Sequence, residues 1–358
     1  MLSTEELFAL KSSIISWRDE GSLPREESLC ALLDETISTL EREDAAYRPR
    51  AHDGKPGGLL DFSGDGLPAV IVPDLHARPD FLIRLLGCGF GDGSVLSALN
   101  GGLLNLICVG DGVHTETMTW AYDRWKESLL AWEQGNVDCA GMRAEMHEGF
   151  ATMMAVAALK NAFPRHFHFL KGNHENILNR EGGGDHPFRK FACEGEMVRS
   201  FIATVYGDVL LHLIHCFEQA LPLVVIGGNF GVSHAEPFAA YSRDEIVNSR
   251  FHGQLVHDFT WTANGEALDG SVQEQFAVLN SAGDAERMRW FGGHRPVEGK
   301  YALRQDASFV QIHNPNEMNV ALVPPDREFC PETDIIDIGA VRKIQSSGSG
   351  CSVCVRSS

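Results

Sequence analysis

Several short apolar runs in this 358-residue chain end in side chains able to bind a ligand. PAVIV (68–72) leads into Asp74-Leu75-His76, LLNLICV (103–109) into Gly110-Asp111, and HFHFL (166–170) into Gly172-Asn173-His174-Glu175. FGVS (230–233) leads into His234, and RWF (289–291) into Gly292-Gly293-His294. Any one of these is ordinarily a turn or a helix cap, because Gly, Asn and Asp favour turn conformations. The whole set in order suggests one shared site, since the carboxyl ends of strands border the ligand crevice of open α/β sheets.

The elements that must position these groups follow from the same runs. Apolar, β-branched segments of strand length alternate with helical stretches such as FLIRLL (81–86) and GFATMMAVAALKNAF (149–163). LPLVVIG (221–227) and segments near 301–304, 308–313 and 318–323 read as further strands. Buried strands flanked by helices predict a layered α/β domain. Residues 1–43 read as a pair of helices, the first opening on a capping box at Ser3 and Glu6, the second near Pro24. Residues 44–66, rich in Gly, Pro and charge, read as a linker or surface loop. The main domain is then expected over 67–325, and 326–358 forms a C-terminal extension with a Ser/Gly-rich tail.

Lys and Arg number 30 against 49 Asp and Glu, a formal charge of −19. That balance excludes nucleic acid and anionic membranes as expected partners, because both demand clustered cations. The start MLSTEELFAL shows no secretory signal and no apolar run reaches bilayer-spanning length, so a cytoplasmic location is expected. The cysteines lack framework spacing; Cys108 and Cys216 read as reduced core residues and Cys351/Cys354 as part of the tail. His166, His168, His212 and His215 read as structural.

DLH, GD, GNHE, SHAEP and GGHR, in that order, resemble the signature of the calcineurin-like metallophosphoesterases: DxH, GD, GNHE and two later histidines. The segments 151–175, 221–237 and DFTW (258–261) are similar to the phosphoprotein phosphatase branch, which includes serine/threonine phosphatases. The resemblance spans roughly residues 67–325. It implies a metallo-dependent phosphatase fold, an α/β (α+β) four-layer αββα sandwich of two mixed β-sheets with flanking helices. It implies that Asp74, His76 and Asp111 hold one divalent ion and that Asp111, Asn173, His234 and His294 hold another. It also makes His174 a general acid, oriented by Glu175. Mixed imidazole, carboxylate and amide donors favour Mn, Fe or Zn over Ca. The activity implied is hydrolysis of phosphate monoesters on a small molecule or a phosphoprotein, with phosphoserine or phosphothreonine within reach. The alternatives are a nucleotide or dinucleoside polyphosphate hydrolase, or an inactive scaffold with the same fold.

The chain departs from that branch where GDxVDRG becomes GDGVHTE (110–116). His114 replaces the aspartate that orients the catalytic histidine, and Thr115 replaces the arginine that grips phosphate. Arg78 and Arg295 are the nearest candidates to take over that grip beside Asn173, because 262–286 contains no arginine. PDLHA carries Pro73 and Ala77 in place of two glycines. An inserted segment, 116–149, reads as helical with Tyr122, Trp125, Leu129 and Trp132 on one face. That stripe either packs on the domain body or walls the pocket.

Overall fold

The computed structural model describes residues 1–116, 120–279 and 288–344. Residues 117–119 of the inserted segment, the end of the 262–286 stretch, and the Cys351/Cys354 tail lie outside the described residues. The strands run β1 (Leu59–Phe62), β2 (Ala69–Val72), β3 (Gly89–Phe90), β4 (Gly93–Ser94), β5 (Asn105–Cys108), β6 (Phe167–Phe169), β7 (Val224–Gly227), β8 (Phe230–Val232), β9 (Arg289–Gly292), β10 (Ala302–Arg304), β11 (Phe309–Gln311), β12 (Asn319–Val323), β13 (Ile335–Asp337) and β14 (Lys343–Ile344). A six-stranded sheet has the order β1-β7-β8-β9-β11-β10, a five-stranded sheet the order β13-β12-β2-β5-β6, and a small ribbon joins β14, β3 and β4. Both large sheets are mixed: β2, β5 and β6 are parallel while β12 runs antiparallel to β2.

The period-two alternation of the strands separates three hydrophobic layers. Val70 and Val72 of β2 and Leu106 and Cys108 of β5 face one layer of helices. Ala69, Ile71 and Ile107 face the second sheet, against Val225, Val232, Phe291 and Val310. The far face of that sheet, with Val224, Ile226, Trp290 and Phe309, is covered by Ile246, Leu255, Phe259, Val272 and Phe276 from a second set of helices. The result is the expected αββα sandwich. Strands buried on both faces explain why their sequences read as continuous apolar runs rather than alternating ones.

The N-terminal helices α1 (Thr4–Asp19) and α2 (Glu26–Glu41) belong to the first helical layer, not to a separate body. Ile14, Leu29, Leu33 and Leu40 enter its core. The capping box forms as expected: Ser3 Oγ accepts from Glu6 N and Glu6 accepts from Ser3 N at 2.7 Å. The linker reading of 44–66 requires correction. Leu59–Phe62 is an edge strand parallel to β7, with Leu59, Leu60 and Phe62 buried. Its partner lies far along the chain, so the flanking glycines and charges concealed it.

The segment before β1 also closes a buried ionic cluster. Glu43 pairs with Lys160 and Arg48, and all three are buried, as is His168 beside them. Burial opposes ionisation of Glu43, but Lys160 and Arg48 overcome it and hold the carboxyl down to about 2 from 4.5. Lys160, drawn down to about 8 by burial, is still charged throughout the acid range. The carboxylate therefore sets the acid limb. A depressed carboxyl contributes stability above its unfolded value and loses it as pH falls toward its folded one. Denaturant midpoints are expected to fall between pH 4.5 and 2 by an equivalent on the order of 3 kcal/mol. Glu43→Gln should flatten that slope while costing roughly 3–5 kcal/mol at neutral pH, because it strands two buried cations.

Candidate metal centre

The expected ligands arrive on loops at the carboxyl ends of β2, β5, β6, β8 and β9. Asp74, His76, Asp111, Asn173, His234 and His294 are brought together there, and none is more than 8 % exposed. The loops after β2 and β5 are zipped by backbone bonds, His76 N donating to Asp111 O at 2.7 Å and Ala77 N to Gly112 O at 3.0 Å. The sheets are tied across by His294 N, which donates to Asp74 Oδ1 at 3.0 Å. Five of the nine non-glycine residues with positive φ among the described residues lie here: His76, Ala77, Asp111, His114 and His294. Strained backbone of this kind persists only where the surroundings enforce it. A Cβ on Gly293 would overlap the Asp74 carboxylate, and one on Gly172 would overlap that of Asp111, so both loops need glycine for close approach.

The imidazoles share one arrangement. His76 Nδ1 faces the His114 carbonyl at 3.0 Å, His234 Nδ1 faces the Val109 carbonyl at 3.2 Å, and His294 Nε2 faces the Trp261 carbonyl at 3.2 Å. With the ring proton placed toward each carbonyl, the opposite nitrogen turns a lone pair inward. His234 Nε2 and His294 Nδ1 then meet Asn173 Oδ1 at 2.8 and 3.0 Å, and Asp111 Oδ2 lies 3.5 Å from His234 Nε2. Lone pairs aimed at one another call for a cation between them. Buried polar atoms left without a hydrogen bond include Asp74 Oδ2 and His76 Nε2. Among the described residues, three buried groups have the spacing to hold an ion: Asp74/Asp111/His234, Asp74/His76/His313 and His76/His114/His174.

Electrostatics point the same way. Burial, with Glu175 and Asp74 nearby, pushes the Asp111 carboxyl well above its ordinary value. Burial draws His76 down to about 3 and His234 to about 4, leaving neutral rings. Neutral imidazoles and crowded carboxylates suit divalent cations.

His174 stands beside this cage. Its backbone N donates to Asp111 Oδ1 at 2.9 Å, its ring stacks on Phe188 at 4.6 Å, and its Nδ1 has no hydrogen-bond partner. The ring of His114 lies 4.7 Å away without a hydrogen bond to it, so His114 does not substitute for the aspartate as an acceptor. Behind His114 stands a wholly buried carboxylate that the sequence did not expose: Glu194 Oε1, 3.6 Å from His114 Nε2.

Two expected roles need correction. Glu175 does not touch His174; its carboxylate accepts from the backbone N of Asp111, Gly112 and Gly172 at 2.7–2.9 Å and so shapes the loop. Arg78 is not available to grip phosphate, because its guanidinium is consumed by the carbonyls of Asp74, Leu75, Asn314, Pro315 and Glu317. Arg295 is exposed next to His294. Thr115 sits under Arg124 of the helix α3 (Ala121–Glu133), yet Glu145 and Glu148 already pair with that guanidinium. Trp125 is buried against His114 at 5.1 Å while Tyr122 is exposed, so the inserted helix packs on the body and backs the loop after β5 at one point.

No family model matches the sequence, and no curated protein matches it. Among solved structures, the chain is similar to a protein serine/threonine phosphatase from Saccharomyces cerevisiae, with 13 % identity, 84 % of each chain covered and a TM-score of 0.54. It overlaps more loosely with a cold-active protein-tyrosine phosphatase of a psychrophilic Shewanella species, at 12 % identity, 75 % and 81 % coverage and a TM-score of 0.38. At such identity the first likeness establishes the fold alone, which the chain shares with that phosphatase. Among the described residues no helix is long and apolar enough to cross a membrane.

Proposed function

We propose that the chain is a metal-dependent phosphoesterase acting on phosphate monoesters. The observation that carries this reading is the cage itself: buried imidazoles, each turned by an outward carbonyl, face Asp74, Asp111 and Asn173 on five strand ends. Asp74, His76 and Asp111 would hold one divalent ion, and Asp111, Asn173, His234 and His294 a second. Ions bound there would lower the pKa of an attacking water and offset charge on the transferring phosphoryl group. The donor set suits Mn, Fe or Zn.

The chain's own residues supply the rest. His174, whose ring burial holds neutral at rest, keeps Nδ1 buried and unpaired, and its Nε2, 3.7 Å from Asp111 Oδ2 on the cage side, is the nitrogen that would carry a proton to a substrate. The negative charge of a phosphate dianion would favour its protonated form, from which it protonates the leaving oxygen. Exposed Arg295, next to His294, would meet a phosphate oxygen or a neighbouring group of the substrate. A small phosphorylated molecule and a phosphoprotein both satisfy this chemistry, and the −19 charge disfavours long polyanions.

The test uses the full chain stripped by chelator and reloaded with Mn, assayed on p-nitrophenyl phosphate, its bis-ester and phosphopeptides. Metal-dependent turnover of monoesters, with the bis-ester slower, is expected. Bound ions with no hydrolysis of any ester would favour a scaffold and defeat the proposal.

A further inference from the structure

His313 follows β11 and belongs to none of the motifs, yet it is wholly buried at the edge of the cage. Its Nδ1 lies 3.2 Å from Asp74 Oδ2, and its ring centre 5.1 Å from that of His76. Its Nε2 faces Glu116 Oε2 at 3.4 Å, and the same Glu116 oxygen accepts from Lys190 Nζ at 2.7 Å. Asp74 Oδ2, His76 Nε2 and His313 Nδ1 are all buried, all without a hydrogen bond, and all within 4.8 Å of one another.

Two explanations of His313 compete. In the first it is a protonated bridge between Asp74 and Glu116. That bridge would satisfy Asp74 Oδ2 and His313 Nδ1 through a hydrogen bond, but none forms between them, and His76 Nε2, 3.5 Å from Glu116 Oε2, would still lack a hydrogen bond. In the second, Nε2–H donates to Glu116, which Lys190 fixes, and the Nδ1 lone pair points at the place where the other two atoms converge. This matches the carboxylate–imidazole–metal order found where ligands are oriented by their neighbours. It also gives His313 the outward-proton, inward-lone-pair pattern of His76, His234 and His294. One cation would satisfy all three orphaned atoms, whereas the bridge satisfies two at most.

We infer that His313 Nδ1 is a ligand of the ion held by Asp74 and His76, with Glu116 fixing the ring. This rests on the two-ion reading above and makes that position richer in imidazole than the motifs imply. Two imidazoles with carboxylates select a borderline transition ion such as Mn, Fe, Co or Zn over Mg, which prefers oxygen donors and retained water.

The experiment is metal stoichiometry on the full chain. Chelator-treated protein is titrated with Co(II), and bound Co is counted after gel filtration, with Mg(II) in excess as competitor. Wild type is expected to retain two ions per chain. His313→Ala is expected to retain one under the same conditions, with roughly 10–100-fold weaker binding of the other, and Glu116→Gln should weaken that ion about tenfold. His166→Ala, whose ring bonds Asn105 away from the centre, should still hold two. A His313→Ala chain holding two ions at wild-type affinity, while Asp74→Asn loses one, overturns this inference and leaves the parent reading intact. A wild-type chain that binds none defeats both. Should His313→Ala not fold, Zn-loaded wild type with 15N-labelled histidine decides the matter. A metal-shifted His313 Nδ1 with Nε2 protonated supports the inference, and a protonated Nδ1 overturns it.

Discussion

His174→Asn is expected to lower turnover of a phosphoserine peptide by about 10²–10⁴-fold, the range general acids supply, while p-nitrophenyl phosphate loses far less. The difference arises from the leaving group. A serine alkoxide must be protonated as it departs, but p-nitrophenolate leaves as an anion. Metal content should be unchanged, because the ring of His174 is 3.7 Å from Asp111 and its contribution to that carboxylate is a backbone N–H, which the variant keeps. Equal losses on both substrates would mean that His174 positions the loop rather than moves a proton. Phe188, stacked on the ring, fixes the ring's attitude, so the effect should depend little on reorientation.

Asp111→Asn should cost at least about 10³-fold in hydrolysis of either substrate, since in the proposed two-ion centre both ions would depend on that charge. The variant keeps an oxygen for the His174 N–H. Its metal-free form should also be more stable than metal-free wild type, by about 1 kcal/mol. Burial, Glu175 and Asp74 all oppose ionisation of Asp111 and the His174 N–H offsets them only in part, so a neutral amide removes a penalty that bound cations would otherwise relieve. Melting with and without Mn tests the pair of effects: wild type gains on loading, while Asp111→Asn starts higher and gains little. A metal-free variant less stable than wild type would show that the carboxylate serves packing rather than charge.

What the sequence could reveal divides along locality. The strand-end residues were legible because each sits directly after its own apolar run, so Asp74, Asp111, Asn173, His234 and His294 could be read without any long-range contact. His313 could not, because its meaning comes from Asp74 and His76 on the other sheet and from Glu116, which stands at the end of an altered motif. Its one signal was its place as the last residue of a predicted strand, 308–313. Arg78 misled for the same reason. Its charge is visible in the sequence, but the carbonyls of 314–317 that consume its donors are supplied by a distant turn. Strand β1 was hidden among glycines and charges and exists because β7 pairs with it. Conversely, Ala77 takes a φ of 54° where the resembling motif has glycine, which shows the loop enforcing its shape on an unsuited residue.

The central claim, two ions held in one cage and joined by Asp111, is tested most directly by anomalous diffraction from crystals of the full chain loaded with Mn. Two peaks are predicted, one beside Asp74 and His76 and one beside Asn173, His234 and His294, with the Asp111 carboxylate between them. Loaded crystals with no peak in the cage, or with density only at surface carboxylates, would contradict it.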